Sequence, residues 1–527
     1  MRTAQHLRRA FYIQRIGILI GATLLSSPLA AGPIPTIPVE ARKITDEAKY
    51  KNSRWGLFVA DRKTGEVLFD WNGDQRFLGA STTKLFAGAA ALDAYGPDYR
   101  FTTPIYRTGP VDGAGTLSGN LVMVASGDPT MGGRTTPQGT IDFVPIDHIN
   151  AVALPLATLT PEDPLAGLDN LAKQVAAAGV RRVSGDVIVD ARLFEPLLKD
   201  GYVVSPVWIN DNLIDFTITP GTAGAKAKVA WRPMTAAFKV ESDVTTVAAG
   251  QPLTVAVTSP SPGVISVHGN ISADQGSLVQ VYQVMDPPSF ARTLLIEALK
   301  RQGVAVDADP LGDNPDGKLP AKDGYRASEE VAKLVSPPFS ENIKLIFKVS
   351  HNQHADLLVM LLALKRGEAD FDDGMRAIHD FLVKRAIDPK LVSLSDGRGN
   401  EYTDLFSPRT ITTLLRDQAK SRDSKPYFDA LPIVGVDGTE KDTVPATSRI
   451  AGKAWMKSGT TVAGDLMNQR AIVMTRALAG YMKGKSGRDL DVGIYVNDVA
   501  LGDEMVPQML KVIEDQGVIL EYIYDHS

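Results

Sequence analysis

No cysteine occurs among the 527 residues, which excludes structural disulfides, thiolate metal sites and a lipidated N-terminal cysteine. Long apolar runs are missing too: the N-terminal apolar stretch, Ile16 to Leu25, falls short of the roughly 18 residues that a membrane span requires, and no second long run occurs. Neither sign of charge dominates. With 56 Lys and Arg against 61 Asp and Glu, the formal net charge is -5, and nothing in that balance asks for a nucleic-acid partner. No phosphate-cradling glycine loop precedes a helix. Packing alone must hold the fold. At 44% apolar and 22% charged residues, the composition is that of a soluble folded protein, and the length predicts two or three domains.

The N-terminus is an export signal in pattern. Arg2, Arg8, Arg9 and Arg15 precede the stretch from Ile16 to Leu25, and Pro28, Ala30 and Ala31 follow it. A basic region, a short apolar region and small residues predict a secretory signal over residues 1–32, cleaved near 30–32. The expectation is a periplasmic or otherwise extracytoplasmic protein with no transmembrane anchor after cleavage.

Further along, Leu57, Val59, Val67 and Phe69 alternate about a polar turn at Asp61 to Gly65 and predict a β-hairpin. A helix through Leu85, Phe86, Ala89, Ala90 and Leu92 follows and stops at Gly96 and Pro97. Residues 98–334 change character to short Val- and Thr-rich strands with many Gly and Pro turns. Only two helices are expected there, Leu165 to Ala178 and Pro288 to Gln302. Helical patterning returns at Ile343 to Phe347, Ala355 to Leu364, Asp373 to Ala386 and Pro408 to Lys420. Strands near Ala454 to Thr461, Leu478 to Met482 and Val492 to Val496 and a helix near Met505 to Gln516 close the chain. The predicted class is α+β: one discontinuous catalytic domain, 33–97 with 335–527, split by one or two β-rich inserted domains over 98–334.

Three short motifs carry the chemistry. Ser81 to Lys84 is the single S-x-x-K of the chain, at the head of the first helix. Positions i and i+3 share a helix face, so a serine hydroxyl and a lysine amine meet across one turn. Ser350, His351 and Asn352 form an S-x-N between two helical runs. A second S-x-N, Ser340 to Asn342, falls at a helix start and reads as an N-cap. K-[ST]-G occurs three times. Those at Lys63 and Lys485 lie in polar turns that want glycine for its backbone, whereas Lys457, Ser458 and Gly459 lie within a predicted strand able to line a cleft.

A serine hydroxyl needs a base to become a nucleophile. Lys84 is one turn away, and lowering a lysine by the roughly 3 units that neutral pH demands corresponds to about 4 kcal/mol. Burial and a neighbouring cation supply that, and Lys457 is the candidate cation. Ser350 suits proton relay to a departing amine, and Asn352 suits a hydrogen bond to a substrate backbone. Lys457 and Ser458 suit a free carboxylate, Gly459 lets substrate approach the strand, and the amides of Thr460 and Ser81 are candidate oxyanion donors. No cofactor and no metal are expected: His351 and His354 make an H-x-x-H without a carboxylate at metalloprotease spacing and read as packing or surface histidines. Asp307, Asp309, Asp313 and Asp316 read as a solvated acidic turn.

In this order the S-x-x-K, S-x-N and K-[ST]-G set resembles the class C low-molecular-mass penicillin-binding proteins, the D-alanyl-D-alanine carboxypeptidase and endopeptidase family. Ser126 to Thr130 is similar to that family's G-D-P-T segment, and Gly185 to Asp190, Ser336 to Ser340, Asp396 to Gly399 and Gly435 to Thr439 also resemble family segments. So does an insert of more than 200 residues between Lys84 and Ser350. The resemblance implies a penicillin-binding transpeptidase fold, acylation of Ser81 by stem peptides of peptidoglycan ending in D-Ala-D-Ala, loss of the terminal D-Ala with hydrolysis of the acyl-enzyme, and acylation of the same serine by β-lactams, which leave slowly. It also implies that Asp128 helps bind the free amino end of the stem-peptide side chain. Ser458 replaces the family's usual threonine, Arg398 stands where relatives often carry serine, and residues 131–163 form a longer loop than the family pattern. Other readings of the same motifs are a β-lactamase, a D-aminopeptidase, or a cell-wall binding protein that has lost turnover.

Overall fold

The computed structural model describes residues 34–151, 155–502 and 505–527, and the N-terminal export pattern lies outside them. A five-stranded antiparallel sheet positions the motifs. The expected hairpin supplies β1 (Arg54–Asp61) and β2 (Val67–Trp71), and the far end of the chain supplies β3 (Ala454–Asp465), β4 (Arg470–Lys483) and β5 (Asp489–Ala500). Their spatial order is β2-β1-β5-β4-β3, so β3 is an edge.

Both faces of the sheet are covered, and the alternation along β4 shows how. Ala477, Ala479 and Tyr481 belong to one core, while Leu478 and Met482 belong to another. The first core contains residues of α1 (Lys84–Tyr95), α2 (Phe339–Lys348), α3 (Asn352–Lys365) and α4 (Pro408–Gln418). The second is closed by α5 (Met505–Asp525) through Ile519, Leu520 and Ile523. α1 is buried along nearly all its length, from Lys84 to Leu92, and is therefore a central helix. Gly88 brings it against α2, where a Cβ would stand 2.5 Å from the Phe347 ring. At its end Gly96 adopts φ 80° and accepts the turn that a side chain would strain.

Between α1 and α2 the chain builds a four-stranded sheet in the order Glu330–Val335, Thr102–Arg107, Leu121–Val124, Val187–Asp190. Two further three-stranded sheets lie between residues 213 and 283. Among the described residues of this segment the α-helices are Ala166–Ala177 and Pro287–Arg301, close to the two expected. They pack into a hydrophobic core of their own with Ile105, Met123, Val189 and Phe216. The class is α+β, as expected.

Three local readings change. α2 begins at Phe339 with Pro338 in the cap position, so Ser340 sits inside the first turn and caps nothing. The three C-terminal strands are 12 to 14 residues long, well beyond their predicted apolar centres, because their polar halves continue the ladder. A helix at Ser424–Ala430 was not expected. Among the described residues no helix is long and apolar enough to cross a membrane.

Candidate active site

Ser81 lies in a 3-10 turn, Ala80–Thr83, that runs directly into α1. The turn is strained. Ala80 has φ 42°, a left-handed conformation costing roughly 1–2 kcal/mol for a residue with a Cβ. Two glycines hold it there: a Cβ on Gly399 would stand 1.8 Å from the Ala80 carbonyl oxygen, and one on Gly79 2.2 Å from the Phe406 ring. The serine is thus presented on a turn braced from two sides.

Lys84 meets Ser81 across that turn. Its Nζ lies 2.7 Å from Ser81 Oγ, 2.7 Å from Asn352 Oδ1 and 2.7 Å from the Arg398 carbonyl oxygen. The amine is buried. Burial first, and then the cation at Lys457, push its pKa well below that of free lysine. The Arg398 carbonyl is fixed by its own loop. Asp396 accepts hydrogen bonds from the amides of Arg398, Gly399 and Asn400, and Arg398 reaches outward to Tyr202 and Asp200. The sequence singles out the Arg398 side chain; the structure brings its main chain to the lysine.

Lys457 lies in the buried part of β3, and burial lowers its pKa to about 7. Glu440, fully buried, opposes that shift and also accepts from Arg476 Nη2 at 3.1 Å and from Thr443. Glu440 immediately follows the Gly435 to Thr439 segment, and neither it nor Arg476 shows in the sequence as part of a site. Nζ of Lys457 donates to the Ser458 carbonyl at 2.7 Å. Ser458 Oγ lies 3.4 Å from Thr439 Oγ1.

Strand parity decides which main-chain groups of β3 face outward. Val434 N donates to Ala454 O, and Met456 N donates to Pro432 O. Residues 454 and 456 therefore point away from β4. With no register shift before Thr461, Ser458 and Thr460 point the same way. There the 432–434 segment no longer covers the edge, and the Thr460 amide points outward from the sheet. Gly459 brings the strand against the serine turn: a Cβ would stand 2.5 Å from Gly79 O and 2.8 Å from Ser81 N. The space that glycine leaves is filled by the protein's own backbone, rather than kept for substrate as the sequence suggests.

Ser350 has φ 61° and is partly exposed, Asn352 opens α3, and His351 between them is fully buried. The structure thus gathers Ser81, Lys84 and Asn352 by direct contact, with Gly459 packed on the Ser81 turn. Asp128 is not among them. It is buried and accepts from the Thr130 amide and hydroxyl at 3.0 and 3.2 Å, an Asx turn. His351 and His354 are buried rather than superficial, and a carboxylate does accompany them, Asp211 from the segment between α1 and α2. In the 131–163 loop, Ile141 and Phe143 pack against Leu345 and Val349 at the end of α2, next to Ser350. The two other K-[ST]-G triplets are turns, with Gly65 at φ 80° and Gly487 at φ 89°.

A family model described as the D-Ala-D-Ala carboxypeptidase 3 (S13) family matches residues 40–516. The chain belongs to this family. Among curated relatives, a D-alanyl-D-alanine carboxypeptidase of Actinomadura sp. (strain R39) is 27% identical over 91% of this chain and 85% of its own length. The D-alanyl-D-alanine carboxypeptidase DacB of Haemophilus influenzae is 24% identical over 93% and 94%. Among solved structures, penicillin binding protein 4 from Haemophilus influenzae superposes with a TM-score of 0.68 at 20% identity, covering 92% of this chain and all of that one. At that identity the likeness is one of fold.

Proposed function

We propose that the chain is a serine-type D-Ala-D-Ala carboxypeptidase acting on peptidoglycan stem peptides through an acyl-enzyme on Ser81, and that β-lactams acylate the same oxygen. The observation that carries this reading is the three-way environment of Lys84 Nζ. Two of its partners, Asn352 Oδ1 and the Arg398 carbonyl, only accept. A neutral amine spends its two hydrogens on them and turns its lone pair to the third partner, the Ser81 hydroxyl. Burial and the neighbouring Lys457 lower the pKa of the amine and so favour its neutral form.

Lys84 then takes the hydroxyl proton as Oγ bonds to the carbonyl carbon of the penultimate D-Ala. The oxyanion lies between the amides of Ser81 and Thr460, each such donor contributing about 3 kcal/mol. The C–N bond breaks, Ser350 relays the proton to the leaving amine, and D-Ala departs. Water, activated by the same lysine, hydrolyses the ester. Lys457 and Ser458 receive the terminal carboxylate at the outward edge of β3. The catalytic unit comprises 33–97 and 335–527, with 98–334 as its β-rich insert, and it works outside the cytoplasmic membrane. Asp128 has no place in these steps, since its carboxylate is buried in its own turn.

Fluorescent penicillin tests the reading, with wild type beside Ser81→Ala and mass mapping of the labelled peptide. Stable label on the Ser81 peptide, absent from the variant, together with D-alanine release from a pentapeptide, is the expected outcome. Label that survives the substitution removes Ser81 as the nucleophile, and rapid turnover of penicillin makes the protein a β-lactamase instead.

A further inference from the structure

The S-x-N turn is held from behind by a carboxylate that belongs to the segment between α1 and α2. His351 caps α3 by accepting the His354 amide at Nδ1, 3.3 Å away. Its Nε2 faces Asp211 Oδ1 at 3.4 Å. The His354 ring stacks on it with centroids 3.5 Å apart and places its own Nε2 2.7 Å from the same oxygen. The other carboxylate oxygen, Oδ2, lies 2.8 Å from Arg134 Nη2 and 2.7 Å from His148 Nε2. Those two residues come from the loop after Asp128 and pair in turn with Asp147 and Asp215. Asp211 sits in a turn of three consecutive left-handed residues, Asn210, Asp211 and Asn212, with φ 53°, 55° and 54°. Ser350 at φ 61° is left-handed as well. Strain at both ends of one buried contact marks a geometry that the surroundings impose.

Asp211, His351 and His354 are spaced so that they could surround a metal ion. Hydrogen bonding argues for a different use. A ring nitrogen that accepts an amide carries no proton, so His351 bears its proton on Nε2, the atom that a metal would need bare. The trio is therefore a clamp held by the hydrogen bond of His354 Nε2 to Asp211, with the stacked His351 ring turned to the same carboxylate by a close charge–dipole contact rather than a hydrogen bond.

We infer that Asp211 is a positioning residue for the reaction: by anchoring His351 it fixes the turn that presents Ser350 to the cleft and sets Asn352 Oδ1 on the Lys84 amine. The inference rests on the function proposed above. Its reach is short, because His351 separates the two presented residues and Asn352 Oδ1 is 2.7 Å from Nζ. Rotating the turn by even 1 Å withdraws the acceptor that keeps the lysine lone pair on Ser81.

The test is His351→Asn. Asparagine still caps α3, is too short to reach Asp211, and leaves the pairing of Asp211 with Arg134 and His148 intact. The time course of penicillin acylation separates the affinity of the first reversible complex from the acylation rate. The expected result is a rate about tenfold to a hundredfold lower, with affinity changed less than twofold. Asp211→Asn should act on the same step, and the double variant should be no slower than the slower single, since both changes break one contact. Acylation within twofold of wild type, a loss confined to affinity, or single effects that multiply in the double variant would each overturn the inference. If Asp211→Asn does not fold, the rate-against-affinity split of His351→Asn decides alone. Failure of the wild type to be labelled refutes the carboxypeptidase reading instead.

Discussion

Gly459→Ala is the sharpest single probe of the site. The added methyl would sit 2.5 Å from Gly79 O, 2.8 Å from Ser81 N and 3.0 Å from Ala80 Cβ. Ordinary contact begins at 3.4 Å, so β3 and the serine turn must part by about 0.9 Å at the tightest point. Neither side yields easily. The turn is already strained at Ala80 and braced by Gly399, and β3 is tied to β4 along its length. Overpacking of this kind costs about 1–3 kcal/mol of stability. The activity cost is larger, because the same shift separates the Ser81 and Thr460 amides. Loss of one oxyanion donor is worth about 10²–10³ in rate, and a 1 Å misplacement of reacting groups about 10². The variant should therefore fold, with a melting temperature a few degrees lower, and acylate with penicillin at least a hundredfold more slowly. Gly464→Ala is the control: on the same strand, its nearest neighbour is a leucine methyl at 3.6 Å, and rate and stability should stay near wild type. Gly459→Ala acylating within threefold of wild type would refute the claim that the β3 edge and the serine turn share an oxyanion site.

Lys457→Met should stabilise the protein at neutral pH, and the gain should shrink as pH rises. A lysine with its folded pKa lowered to about 7 binds fewer protons than in the unfolded chain between pH 7 and about 10.4. Wild-type stability therefore climbs in that window by up to about 1.4 kcal/mol per unit, and denaturant melts of the two proteins should converge near pH 10. Acylation by wild type should rise with pH through an apparent pKa below that of free lysine, as Lys84 loses its proton; a profile flat from pH 5 to 10 speaks against Lys84 as the base. Asn352→Ala removes one of the two acceptors on the amine and should slow acylation about tenfold to a hundredfold with little change in melting temperature. Gly399→Ala should be the most destabilising of these changes, since φ is 87° and the Cβ would stand 1.8 Å from Ala80 O; a melting temperature equal to wild type would contradict that packing.

The parts of the site readable from sequence are those built within one element. Ser81 and Lys84 share a helical turn, so their spacing already states their contact, and the choice of Lys457 over Lys63 and Lys485 follows from strand against turn. The rest depends on contacts between residues far apart in sequence. Arg398 contributes a carbonyl, which no side-chain pattern reveals. Arg476 becomes a neighbour of Lys457 only when β4 pairs with β3, and Glu440 only when the 3-10 turn Gly438–Glu440 packs against β3. Gly459 reads as room for substrate because the turn that fills it is more than 370 residues away in the sequence. Asp211 lies 140 residues from His351, so the H-x-x-H reads as bland. Among the elements, buried helices such as α1 and α3 and the apolar centres of β4 and β5 are legible. The outer half of β4, Arg470 to Thr475, is not, because its mixed polar and apolar residues lack the continuous run of Ala477 to Met482.

The outward parity of Ser458 and Thr460 fixes the grammar by which a guest peptide is read. On the function proposed above, a ligand lying along that margin would be recognised as an extra strand, by amide and carbonyl at every second residue, with its own side chains alternating between the two faces of the sheet. Such reading is indifferent to most of the guest's side-chain identity and demanding about the shape of its last two peptide units. A rigid bicyclic amide that imitates only those two units should therefore engage the same margin without the remainder of the chain.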